Sequence, residues 1–155
     1  MVQIIQAANG ADIDDARAIF REYEQWLGLS LCFQSFEEEL ATLPGKYTPP
    51  DGRLYLARID GEIVGCIAMR RIGVDVCEMK RLYLRESARG KGVGLTLIEK
   101  VIDDARSIGY TKMRLDTYPP KMGKAVRLYE SHGFYEIPSY YDNPHGKTLF
   151  MEKLL

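Results

Sequence analysis

From Arg89 to Gly94 the chain reads Arg-Gly-Lys-Gly-Val-Gly, three glycines interleaved with two cations where a β-prone run hands over to a helical one. Glycines at such a turn let the backbone curl close to a ligand with its N–H groups turned outward, and the helix that follows adds the positive end of its dipole. A pyrophosphate is the natural occupant of such a nest. A nucleotide-binding loop of the Walker type needs Ser or Thr directly after Gly-Lys, but Gly92 follows Lys91 and Thr96 lies too far on. A dinucleotide fingerprint needs a third glycine at 96 or 97, where Thr96 and Leu97 stand. What remains is R-x-x-G-x-G, Arg89 to Gly94; the bland alternative is that the glycines merely connect two elements.

A second motif follows. Ala125-Val126-Arg127-Leu128-Tyr129-Glu130-Ser131-His132-Gly133-Phe134 places Tyr129 on one helix face with Ala125, Leu128 and His132. Tyr129 there is either an aromatic packed on a sheet or a proton donor. The stretch CEMKRLYLRESARGKGVGLTLIEKVIDDA resembles the acyl-CoA-binding motif of the GNAT superfamily of N-acetyltransferases. The segment around Tyr129 resembles that family's late helix, A-x-x-L-Y-x-x-x-G-F. Motif-level similarity runs from Cys77 to Phe134, and the order of elements agrees over the whole chain.

The resemblance implies an α/β fold, a mixed sheet with antiparallel N-terminal strands and a parallel, splayed central pair, flanked by helices. It implies acetyl transfer from acetyl-CoA to a primary amine of a small molecule or peptide by direct attack in a ternary complex, without metal. A non-catalytic acyl-CoA-binding or regulatory module of the same fold is the alternative. By resemblance, backbone groups of Leu82 and Leu84 pair with the pantetheine arm, while Arg89, Gly90, Lys91, Gly92, Val93 and Gly94 hold the pyrophosphate. Tyr129 is the general acid, since a phenol of pKa ~10 can return a proton to a thiolate of ~8.5. Glu78 matches the glutamate base of some members. Strict alternation puts it on the strand face of Lys80, Leu82 and Leu84, and four residues at ~3.3 Å each leave it ~13 Å from Leu82, within reach only of a water relay. A salt bridge from Glu78 to a neighbouring Lys or Arg is the competing reading. Many members carry Asn where this chain has Met122, which removes one polar contact to the cofactor arm and leaves it to backbone or Lys124. The acceptor pocket should come from the first two helices and a late loop, with Tyr23, Trp26, Phe33, Tyr118, Tyr140 and Tyr141 as candidate lining and Asp142, Asn143 and His145 near a lid.

The elements that must position these groups are legible as patterns. Val2 to Ala7 reads as a strand. Asn9 or Asp12 can cap a helix through Ile13, Ala16, Phe20, Tyr23 and Leu27. A short helix through Phe36, Leu40 and Leu43 stops at Pro44-Gly45. Arg53 to Arg58 and Glu62 to Arg71, split by Asp60-Gly61, form a hairpin. Val74 to Leu84 is a strand, Val93 to Ile108 a helix ending at Gly109, and Lys112 to Thr117 a strand, giving a right-handed parallel crossover. A helix from Met122 to His132 and a strand from Thr148 to Lys153 complete the chain.

Composition agrees with one soluble unit spanning residues 1–155: 46% hydrophobic and 28% charged residues fit an ordinary globular core. No apolar run reaches the ~18 residues a membrane span needs, and the N-terminus lacks a basic start before its apolar residues, so the sequence reads as cytoplasmic. The net charge of -1 recruits neither nucleic acid nor an anionic membrane. Between Arg70 and Lys91, however, seven cations face three anions, a net of +4 that suits a small polyanion. Cys32, Cys66 and Cys77 are too scattered for a metal or redox motif and read as reduced thiols. A homodimer is left open.

Overall fold

Strand runs that are apolar on both faces require helices on both sides of the sheet. In the computed structural model, which describes residues 1–155, the middle of β3 (Glu62–Arg71) and of β4 (Val76–Leu84) is buried without a break. With β1 (Val2–Gln6), β2 (Arg53–Ile59), β5 (Lys112–Thr117), β6 (Tyr135–Ile137) and β7 (Leu149–Leu154) they form one sheet in the order β1-β2-β3-β4-β5-β7-β6. The first four strands pair antiparallel, β4 and β5 pair parallel, and the last strands return antiparallel. One core lies beneath α3 (Val93–Ile108), which buries Leu97, Ile98, Val101 and Ala105 at helical spacing. The other lies beneath α1 (Gly10–Leu27) and α2 (Phe36–Thr42), where Ile19, Phe20 and Phe36 are fully sequestered. Each large side chain so buried contributes about 1.5–3 kcal/mol.

Local chemistry sets the ends of these elements. Asn9 caps α1 by accepting the Asp12 amide at 2.8 Å. Gly28 and Gly109 close α1 and α3 in the left-handed conformation. Two boundaries and one added strand differ from the pattern reading. The strand expected from Val74 begins at Val76, because the amides of Ile72 and Gly73 both turn back onto the Val76 carbonyl. The last helix, α4 (Pro119–Ser131), begins before Met122: Pro119 and Pro120 are preorganised for a first turn, and the backbone breaks helical geometry at Met122. The short edge strand β6 has too few residues to show a period.

Two irregularities shape the site. The parallel pairing of β4 with β5 stops at Glu78 opposite Arg114, so Met79–Leu84 has a strand partner on its β3 side only and the sheet opens into a V. Within that free stretch β4 carries a bulge: Lys80 pairs with Ala68 and Tyr83 with Cys66, leaving Arg81 and Leu82 opposite Ile67 alone. Arg81 takes a left-handed conformation, φ 62°, which costs a residue with a Cβ roughly 1–2 kcal/mol. Its guanidinium offsets this with paired bonds of 2.9 and 2.8 Å to Glu39 and a place 5.2 Å over the Phe36 ring, and Cys66 Sγ donates to its carbonyl.

Candidate active site

The amides of Gly90, Lys91 and Gly92 donate to no other group of the chain, and those of Val93, Gly94 and Leu95 open α3 without a side-chain cap. Gly90 and Gly92 hold φ of 77° and 76°, which turns this run of N–H groups outward. Val93 anchors the nest by burying its side chain in the α3 core, and Gly94 lies so close to Leu84 that a Cβ would stand 3.3 Å from the Leu84 Cδ1. Lys91 and Lys124 are exposed. Arg89 donates to the Leu84 carbonyl at 3.2 Å and places its guanidinium 5.1 Å from the Trp26 ring, with the Lys121 ammonium at 5.8 Å from the same ring. The outward amides and these cations fit a diphosphate in charge and donor geometry.

The cationic run is therefore not one patch. Arg70 binds Glu78, Arg71 binds Asp51, Arg81 binds Glu39 and Arg85 binds Glu22, while Lys80 is buried on the α2 side of the sheet. Only Arg89 and Lys91 of that run stay with the glycine loop.

Tyr129 is 3% exposed and packs edge-on to Phe134 beneath α4. Its hydroxyl makes no hydrogen bond within the chain, yet it is not among the polar atoms fully sealed from solvent. Burial, reinforced by Tyr23 and Asp116, pushes its pKa well above that of an ordinary phenol, so the group stays protonated, and the wider gap to a thiol of ~8.5 suits it to serve a departing sulfur as a hydrogen-bond donor rather than by giving up its proton outright. Leu128, its neighbour on α4, lies beside Gly94. This brings Tyr129 to the glycine-loop side of the V.

The bulge corrects the expected strand face. Leu82, with Leu84 beside it, packs toward α3, whereas Arg81 and Tyr83 join Glu78 and Lys80 on the α1–α2 side. Glu78 is 1% exposed. One of its oxygens accepts Arg70 Nε at 2.9 Å with Lys80 Nζ at 3.6 Å, and the other accepts the Tyr140 hydroxyl at 2.5 Å. Burial alone would raise its pKa, but Lys80, Arg70 and the Tyr140 hydroxyl outweigh it and hold the carboxyl below the usual carboxylate range.

The late loop folds back over this face. Tyr141 donates to Asp116 at 2.7 Å and accepts from Asn143 at 2.9 Å and from Gln34 at 3.2 Å, and Gln34 in turn accepts Lys80 Nζ at 3.0 Å. Phe33 stacks on Tyr141 and meets His145 edge-on. Tyr23, Phe33, Tyr118, Asn143 and His145 line a narrow cleft of about 30 Å³ together with Asp116, while Tyr140 sits over Glu78 and Trp26 belongs to the glycine-loop mouth. Asp142 is exposed. Asp116 and Gln34 escaped the sequence reading: neither lies in a motif, and the one available signal was a carboxylate at the end of a strand beside the expected splay.

A sheet that opens between two parallel strands, with a nest of free amides on the intervening helix and a buried tyrosine beside it, defines the architecture of an acyltransferase. The family model described as the Acetyltransferase (GNAT) family matches residues 13–134, and the chain belongs to this family. An uncharacterised N-acetyltransferase of Schizosaccharomyces pombe is 40% identical over 142 residues, covering 90% of this chain and 86% of its own. The N-acetylaspartate synthetase of Danio rerio is 30% identical over 117 residues, 74% of this chain and 41% of that one. In fold, the chain superposes on the PaiA N-acetyltransferase of Thermoplasma acidophilum, solved in complex with coenzyme A, with a TM-score of 0.76 at 21% identity, covering 100% and 99% of the two chains. The protein is an acyltransferase. None of its helices is long and apolar enough to cross a membrane.

Proposed function

We propose that this enzyme transfers acetyl from acetyl-CoA to a primary amine of a small molecule or peptide by direct attack in a ternary complex. The observation that carries the reading is the row of unpaired amides from Gly90 to Leu95 at the head of α3, beside the partnerless Tyr129 hydroxyl. Arg89, Lys91 and these amides take the diphosphate. The edge of β4 beyond Glu78, open on its β5 side, takes the pantetheine arm as an added strand through Leu82 and Leu84, with Lys124 at its border. A backbone N–H near Leu82 faces the thioester oxygen, and Tyr129 donates toward the departing sulfur.

Direct attack is favoured over a covalent acyl-enzyme because the cleft offers no activated thiol. Burial pushes Cys77 up to about 12 and Cys66 higher still, and Cys32 lies exposed outside the cleft. Glu78 enters the proposal as a positioning residue. Passing a proton from an ammonium of pKa ~10 to a carboxyl held below its usual range is uphill by about 7 kcal/mol, so the neutral amine comes instead from equilibration of the ammonium with bulk solvent, at a cost of about 4 kcal/mol at pH 7 that falls as the pH rises.

Calorimetry with CoA and a free-thiol release assay over an amine panel test the reading. Saturable CoA binding with amine-dependent thiol release is expected. Binding without turnover for any amine would reduce the protein to a cofactor-binding module.

A further inference from the structure

The α1–α2 side of the V holds a largely buried cluster of charged side chains with hydrogen-bond donors to spare. Arg70, Lys80 and Arg81 supply three cations, and the carboxylates bonded to them, Glu78 and Glu39, supply two anions. Both oxygens of Glu39 are taken by Arg81. Both oxygens of Glu78 are taken, one by Arg70 Nε and one by the Tyr140 hydroxyl. The donors left over belong to two residues. The Lys80 side chain is only 7% exposed, yet its ammonium makes a single hydrogen bond, to Gln34 Oε1, and its distance of 3.6 Å to Glu78 is too long for a second. Arg70, whose side chain is 28% exposed, commits Nε alone, so its terminal nitrogens have no partner in the chain and reach solvent.

A buried cation with unused donors is costly to a fold, which makes such a group a binding site before it is a structural one. Burial and the nearby Arg81 push the Lys80 pKa down against the opposing pull of Glu78 and Asp116. Arg70 and Gln34 line a cavity of about 220 Å³ roofed by α2 and the turn through Gly45 and Tyr47. Gln34 also lines the narrower cleft that contains Asp116, so the two spaces share a wall. Asp116, in turn, binds Tyr141 through only one of its oxygens. The spare donors of Arg70 on β3 and Lys80 on β4 thus look across the opened sheet at a carboxylate on β5.

Both ends fit a zwitterion. We propose that the acceptor is a free amino acid, its carboxylate held by Lys80 and Arg70 and its amino end turned toward Asp116 and the Tyr129 side of the V. This deepens the transferase reading given above and rests on it. A carboxylate supplies acceptor oxygens to the spare donors of both cations, which a neutral amine or a polyamine cannot do. Glu78 then acts by holding Arg70 and Lys80 side by side.

The test compares free α-amino acids with their primary amides and with the matching decarboxylated amines, by thiol release at saturating acetyl-CoA. The best free acid should exceed its amide by about 100-fold in kcat/KM. Lys80→Met should raise KM for that acid by roughly 10- to 100-fold, bring the acid-to-amide ratio toward one, and leave the Kd for CoA unchanged, which also certifies the fold. Arg70→Lys, which keeps the charge and loses the fork, should give a smaller rise in KM. Turnover that is equal for acids and amides, or better for amines lacking a carboxylate, overturns the carboxylate site and leaves the transferase in place. A Lys80→Met loss confined to kcat also overturns it, since that is the mark of a proton acceptor. Absence of CoA binding together with absence of thiol release overturns both readings.

Discussion

The two sides of the V are built by different means. The glycine-loop side uses the main chain of consecutive residues: Leu82 and Leu84 on a free strand edge, then the amides of Gly90 to Leu95, with side chains such as Val93 turned into the core. The α1–α2 side uses side chains gathered from distant places, the bond between Gln34 and Tyr141 joining residues 107 apart in sequence. Backbone recognition is indifferent to most substitutions and needs only the right turn, whereas a side-chain network changes its ligand with each residue. One architecture can therefore keep a donor fixed while the acceptor varies.

Tyr129 stands between the two, packed with the α3 core yet electrostatically coupled to Tyr23 and Asp116 across the cleft. Removing its hydroxyl should break the chemistry without disturbing either wall. Tyr129→Phe is expected to lower kcat by about 10²- to 10³-fold with the Kd for CoA unchanged. A variant that bound CoA and kept full turnover would take the proton donation away from Tyr129. Because burial raises the phenol's pKa, kcat should also climb with pH as the amine deprotonates and show no fall between pH 8 and 10. A descending limb near the ordinary phenol pKa of ~10 would mean that Tyr129 ionises and is exposed in the working enzyme.

Glu78→Gln attacks the acceptor side alone. It leaves the buried Lys80, and the partly exposed Arg70 beside it, without their anion, and losing one partner of such a buried group costs about 3 kcal/mol at neutral pH. The sign with pH follows from the depressed pKa of Glu78 in the folded state: its stabilisation is present above the unfolded value of ~4.5 and is lost as pH falls through the lower folded value. Thermal melts should therefore show a wide gap between wild type and variant at pH 7 that narrows below pH ~4.5. A gap that did not change with pH would assign the loss to packing rather than charge.

The contrast also explains what could be read from sequence. The nest, α3 and the parallel crossover were legible because turn chemistry and helical spacing are local, and Arg89 to Gly94 is a motif in one piece. The face of Leu82 was misread because a single bulged residue, Arg81, shifts the phase of the strand, and nothing in an arginine announces a positive φ. Its cause lies in Glu39 and Phe36, far away in sequence. Tyr140 and Tyr141 were legible as aromatics of the late loop, but their partners, Glu78 and Asp116, are set only when the loop before β7 folds back.

On the glycine-loop side the effects should be smaller and specific to CoA. A Cβ at Gly92 would meet nothing within 4 Å, so the cost of Gly92→Ala is conformational alone, about 1–2 kcal/mol for a left-handed residue. It should weaken CoA binding by roughly 10-fold while leaving the acceptor KM alone, and Gly92→Asn, which tolerates that conformation, should recover part of the loss. Equal weakening by both variants would point to crowding of the ligand rather than to backbone strain.

The smallest expected effect separates the two uses of the acceptor wall. Tyr140→Phe removes one hydrogen bond to Glu78 but keeps the ring against Phe150 and beneath the Arg114 guanidinium, so the loop should stay in place. Glu78 retains Arg70 and Lys80, and the loss should be about 1 kcal/mol. If Glu78 only positions the cations, the acceptor KM should rise by no more than about five-fold, with kcat and its pH dependence unaltered. A kcat that dropped in parallel, with its acid limb moved, would show that the Tyr140 hydroxyl carries the amine's proton to Glu78, and the base would then lie on β4 after all.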